Sequence, residues 1–235
     1  MNERGMTLYK TIGVLAHVDA GKTTFCEQLL YHTNSIGSRG RVDHQDAYLD
    51  NHAIERQRGI TIFAEQGRIA FRGETYTLID TPGHVDFAPE MERAIRVMDA
   101  AIIIISAVDG IEGHTETVWH LLRQNNVPTF FFINKTDREG ADVQGVVAEI
   151  QKELTPNALL LDEGINDNVK EWLAERDEAL LEQYFAQQLT DETAENALCN
   201  LIATEQAFVC MSGSALKDEG VYAFFEQSRH LHSTE

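Results

Sequence analysis

The sequence predicts an α/β fold: a doubly wound, mostly parallel sheet with helices on both faces and a helical insertion before the last strand. Three observations carry this. Apolar, β-branched runs alternate along the chain with stretches of helical periodicity, the pattern of a parallel sheet covered on both faces. The segment FRGET at residues 71–75 has the composition of a turn joining two antiparallel strands. Residues 155–206, polar and rich in Ala, Leu, Glu and Gln, interrupt the alternation and read as the insertion.

In chain order, strands are expected at residues 11–16 (TIGVLA), 67–71, 76–80, 101–106, 129–134 and 207–211. Amphipathic helices are expected at 22–32, 87–98, 115–125 and 141–154. With 235 residues, 43% of them hydrophobic, the chain can bury one large core, so a single domain over residues 7–235 is expected. No internal repeat or low-complexity linker divides it.

Composition excludes several classes of function. The longest apolar run, AAIIIIS at 100–106, is far too short to cross a bilayer, and MNERGMTLYK has no secretory apolar core. Cys26, Cys199 and Cys210 form no C-x-x-C pair and suit a reducing cytoplasm. A formal net charge of −19 argues against broad nucleic-acid binding by this domain alone. Residues 149–205 hold 14 acidic and 3 basic residues, the composition of a solvated helical face. The chain is expected to act as a monomer, without a membrane.

The chemistry lies at the carboxyl ends of the expected strands. AHVDAGKTT, residues 16–24, leaves an apolar strand and opens a helix, the context that gives a phosphate-loop pattern meaning. Ala16, His17, Val18, Asp19, Ala20, Gly21, Lys22, Thr23 and Thr24 make up the cradle. Backbone N–H groups from Asp19 to Thr24 surround a β-phosphate at the positive end of the helix. Lys22 supplies a charge to the β- and γ-phosphates, and Thr23 offers its hydroxyl to Mg²⁺. Gly21 permits close approach of the backbone, while the opening position, Ala16 rather than the usual glycine, needs only a small residue with negative φ.

Three later stretches complete the site. In DTPGH, Asp80 can hold Mg²⁺ through a water, Gly83 presents a bare N–H to a γ-phosphate, and His84 falls where an attacking water is oriented. In NKTD, Asp137 can accept hydrogen bonds from N1–H and the 2-amino group of guanine; adenine offers neither. A site built on such a bond discriminates by about 10⁴ or more, so GTP or GDP is expected in preference to ATP. Lys135 lays its aliphatic stem over the base, and Asn134 ties this loop to the phosphate loop. Ser214, Ala215 and Leu216 supply a backbone N–H to guanine O6.

Together AHVDAGKTT, ERQRGITI, DTPGHVDF, NKTDREGAD and GSALKDEGV resemble the GTPase domain of elongation factor G and its relatives among translational GTPases. The resemblance spans almost the whole chain. LDNHAIERQRGITI and ISAVDGIEGHTETVWHLLRQNNVPTFFFINK are most similar to the tetracycline-resistance ribosomal protection branch. It implies a P-loop GTPase sheet in which Thr61, in a switch segment of residues 34–62, closes over the nucleotide and binds Mg²⁺. It assigns His84 to orienting the water on the ribosome, Val18 and Ile60 to gating that histidine, and Asp19 to a position linked with a monovalent cation. Length departs from the family: its members carry several further domains after the GTPase domain, and this chain is expected to be an isolated catalytic domain without them. Besides a ribosome-stimulated GTPase, two readings stay open: a GTP-binding switch with little hydrolysis, weighed against by Thr61 and His84, and a phosphotransferase or ATPase, weighed against by NKTD.

Overall fold

The structure is a computed structural model that describes residues 9–37, 65–81 and 88–232. Among the described residues one seven-stranded sheet runs in the order β2-β3-β1-β4-β5-β7-β6. The strands are β1 (Tyr9–Ala16), β2 (Glu65–Phe71), β3 (Glu74–Asp80), β4 (Ala100–Ser106), β5 (Thr129–Asn134), β6 (Ala158–Leu160) and β7 (Phe208–Ser212). All pairings are parallel except β2 with β3. That hairpin turns through Arg72 and Gly73, at φ 48° and 84°. Two successive positive φ values match the right-handed strand twist, which is why a glycine closes the pair.

Every residue of β4 and of β5 is buried, as near-continuous apolar strands require when helices cover both faces. Alternation then divides the side chains between two cores. Ile102, Ile104, Phe130 and Phe132 face one core with Phe25, Phe224 and Phe225, on the side of helices α1 (Lys22–His32) and α8 (Val221–His232). Ala101, Ile103, Ile105, Phe131 and Ile133 face the other, against α2 (Ala88–Ile95), α3 (Gly113–Gln124) and α4 (Val143–Glu149).

Two departures from the sequence expectation have local causes. The helix expected through residue 154 changes after Glu149 into a wider turn, Ile150–Leu154, in which Thr155 N–H donates to Ile150 O five residues back. The widening seats Ile150, fully buried, in the second core. The insertion is helical in α5 (Asp167–Ala174), α6 (Glu178–Phe185) and α7 (Asp191–Ala203), each opened by a side-chain cap from Asn166, Asp177 or Thr190. It also carries β6, which extends the sheet past β7. Asp162 ends this edge by accepting hydrogen bonds from Ser212 N and Oγ at 2.6 and 2.5 Å, and so short an edge strand exposes little unpaired backbone.

The three cysteines are buried free thiols. Burial, reinforced by nearby Asp162, pushes the Cys210 thiol far above its ordinary range. A thiol reagent at mildly alkaline pH is therefore expected to label none of them in the folded chain and all three in denaturant. Rapid labelling of Cys210 under native conditions would contradict this packing.

Candidate nucleotide site

The strand order reverses at β1, with β3 on one side and β4 on the other. Parallel sheets bind ligands at the carboxyl ends of strands beside such a reversal. There β1 gives way to a turn and then to α1. Ala16 is still a buried strand residue, paired with Ile104 and absent from the positive-φ positions, so its Cβ is no obstacle. The tight geometry falls later: Asp19 lies at φ 64° and Gly21 at φ 94°. A Cβ on Gly21 would stand 2.3 Å from Asn134 Nδ2. Gly21 is thus required twice, for its dihedral angle and for the approach of Asn134.

Among the described residues no side chain caps the start of α1, so the N–H groups at Lys22, Thr23 and Thr24 keep the anion-binding character of a helix N-terminus. The Lys22 ammonium is buried and paired with the Asp80 carboxylate. β1 and β3 place that carboxylate beside Val14 in register, and Thr81 Oγ1 fixes the end of β3 by donating to Val14 O at 2.8 Å. His17 behaves differently from the rest of the turn. Its Nε2 meets Glu112 Oε2 at 2.7 Å and its ring lies 6.3 Å from that of His114, so its side chain is engaged with the start of α3.

The base-side loops follow β5 and β7. Asn134 joins three segments: Nδ2 donates to Ala20 O at 2.8 Å, and Oδ1 accepts from Ala215 N at 2.9 Å. Lys135 sits at φ 66° with Nζ 3.2 Å from Asp109 Oδ2. The Ser106 hydroxyl, followed by Lys135, holds the Asp109 carboxyl below the usual carboxylate range. Asp137 is exposed, and its Oδ1 accepts from Ser214 Oγ at 2.6 Å.

The turn from Ser214 to Glu219 closes on itself. Ser214 N donates to Glu219 O, Glu219 N to Ser214 O, Asp218 N to Ala215 O, and Lys217 N to Ser214 Oγ. Ala215 N is taken by Asn134. Among the described residues, no hydrogen bond satisfies Leu216 N–H, and the Leu216 side chain is exposed. Ser214, Ala215 and Leu216 therefore differ in what they do here: a hydroxyl on Asp137, an amide on Asn134, and an amide N–H with no partner among the described residues.

The described residues bring Ala16 to Thr24, Asp80, Asn134, Lys135, Asp137 and Ser214 to Leu216 to one end of the sheet. Gly83, His84, Thr61 and Ile60 lie outside the described residues, as does most of the 34–62 segment. Asp109, Gln28, His32 and Glu112 join the site without having been singled out in the sequence. None of them carries a local signal, because each is recruited by a loop distant in the chain.

The donor set suits a nucleotide-borne magnesium ion. Among the described residues no cluster of three or more His, Cys, Asp or Glu could hold a metal. Mg²⁺ with a nucleotide needs only one or two protein oxygens and takes the rest from phosphates and water. The Thr23 hydroxyl and the Asp80 carboxylate are oxygens of that kind.

Comparison with known proteins agrees with this geometry. The family described as "Elongation factor Tu GTP binding domain" matches residues 8–233. Elongation factor G 2 of Streptomyces coelicolor is 36% identical over 265 residues, covering 94% of this chain and 39% of that protein. Tetracycline resistance protein TetP of Clostridium perfringens is 40% identical, covering 74% of this chain and 29% of its own length. TetM from transposon Tn1545 of Enterococcus faecalis is 45% identical over 149 residues, or 23% of its length. The chain thus spans well under half of these relatives. A crystal structure of a Thermus thermophilus protein matches 93% of this chain and 39% of its own, with a TM-score of 0.81 at 23% identity, a likeness of fold.

Proposed function

The chain belongs to the elongation factor Tu GTP binding domain family and is a GTPase domain of the translation-factor kind, and we propose that it binds GTP and GDP with Mg²⁺ and hydrolyses GTP as the switch of a ribosome-associated factor of the ribosomal protection type. The observation that carries the nucleotide reading is Asn134. One side chain ties the turn at Ala20 to the turn at Ala215, which supports a nucleotide held with its phosphates at the first and its base at the second.

In this reading Lys22 and the α1 amides hold the β- and γ-phosphates, and Thr23 and Asp80 hold Mg²⁺, joined by Thr61. When bound, the metal neutralises charge on the phosphates. Lys135 covers the base, Asp137 takes N1–H and the 2-amino group, and Leu216 N–H faces O6. His84 orients the water. A monovalent cation beside Asp19, exposed at the tip of the phosphate turn, belongs to the same reading, as do action in the cytoplasm and as a monomer.

Competition binding tests the base: GDP and GTP should each displace a fluorescent guanine nucleotide at concentrations about 10⁴ lower than ATP. Equal displacement by ATP would restore the ATPase reading. Phosphate release under single turnover, with and without ribosomes, separates a slow GTPase from a passive switch. The elongation factor G 2 match covers more of the chain than the TetP match, at lower identity, which keeps a translocation factor as the second reading. Rescue of translation from tetracycline, by a protein carrying this domain at the relatives' length, distinguishes the two.

A further inference from the structure

We propose that Gln28, with His32 one helical turn further along α1, is a positioning residue for guanine recognition: the pair aims the Leu216 amide at the base. The inference rests on the guanine-site reading above and extends it to residues outside the nucleotide-binding motifs. Residues four apart on a helix share a face, and this face of α1 meets the Ser214–Glu219 turn at two points.

Gln28 Nε2 donates to Ala215 O at 2.9 Å. Ala215 C=O and Leu216 N–H belong to one planar trans peptide and point in opposite directions. Drawing the carbonyl onto α1 therefore turns the Leu216 N–H away from α1, toward the open side of the turn. At the far corner His32 Nε2 lies 2.5 Å from Asp218 Oδ1. Asp218 stands at φ 64°, a conformation that persists in a non-glycine residue when its surroundings hold it.

Gln28 is a costly choice on structural grounds alone. The side chain is buried, and its Oε1 has no hydrogen-bond partner among the described residues. A buried unsatisfied acceptor opposes folding, so an apolar residue of the same size would serve packing better. Such departures from local consistency are expected at functional sites.

The test is titration of the chain with GDP and with 6-thioguanosine diphosphate. The analogue keeps N1–H and the 2-amino group for Asp137 but presents sulfur, a poor acceptor, at position 6. Gln28→Met should weaken GDP about three- to tenfold, the worth of one neutral hydrogen bond, and the thio analogue by less than about twofold. His32→Ala should act in the same direction. Thermal unfolding of Gln28→Met without nucleotide should occur no lower than in the parent chain, because the unsatisfied acceptor is gone. Equal losses for the two nucleotides would make Gln28 merely structural, and unchanged GDP affinity would remove it from the site; either result overturns the proposal. A parent chain that binds ADP as well as GDP would instead defeat the guanine-site reading, and this proposal with it.

Discussion

Replacement of Asp137 by asparagine is expected to convert a guanine site into a xanthine site. The carboxylate is exposed at the mouth of the base turn, and Ser214 Oγ donates to its Oδ1 at 2.6 Å. That bond fixes the carboxylate plane and leaves acceptor lone pairs for guanine N1–H and the 2-amino group. An asparagine of the same shape keeps one acceptor, which N1–H and Ser214 can share, but turns an N–H₂ group toward position 2. Guanine then meets donor against donor. Xanthine, with a carbonyl at that position, meets donor against acceptor.

A site built around a hydrogen bond rejects the ligand lacking it by about 10⁴. The ratio of GDP to xanthosine diphosphate affinity should therefore swing by about that factor in Asp137→Asn. Asn134 still joins Ala20 and Ala215, so the phosphate turn and the magnesium dependence should survive. Parallel titrations with the two diphosphates read the change directly. Wild-type affinity for GDP with no gain for xanthosine diphosphate would take Asp137 out of the site.

The sheet was legible in the sequence where physics is local. AAIIIIS and TFFFIN are apolar at every position that two covered faces require, and the structure buries them throughout. The turn between β1 and α1 was legible because Gly21 serves a backbone geometry that the structure shows at φ 94°. What stayed hidden depends on distance. Gln28 meets Ala215 across 187 residues, and His32 meets Asp218 across 186. β6 was hidden for a different reason: three apolar residues inside a polar, helix-forming stretch have too little length to announce a strand. Its strand character comes from β7, whose edge supplies the hydrogen bonds.

In the proposed reading the base-side residues account for affinity and selectivity, but none of the described residues assigned to the site is placed to activate water, and this leads to the expectation for His84. Lys22 is committed to charge and Asn134 to holding loops, while the Lys135 ammonium lies against Asp109. None of these is a base beside a γ-phosphate. Hydrolysis of this kind is mostly positioning and charge stabilisation, so a water left unoriented means slow turnover. In this chain alone, His84→Ala is expected to change phosphate release little and to leave GTP affinity intact, because in the proposed mechanism His84 acts on the water and not on the nucleotide. In a protein that carries the domain at its relatives' length, placed on ribosomes, the same substitution should remove a factor on the order of 10² or more from the stimulated rate. Equal losses with and without ribosomes would mean that His84 already acts in the free domain, and a fall in GTP affinity would make it a ligand-binding residue. The gated-histidine mechanism requires the loss to appear only where the ribosome supplies the ordering.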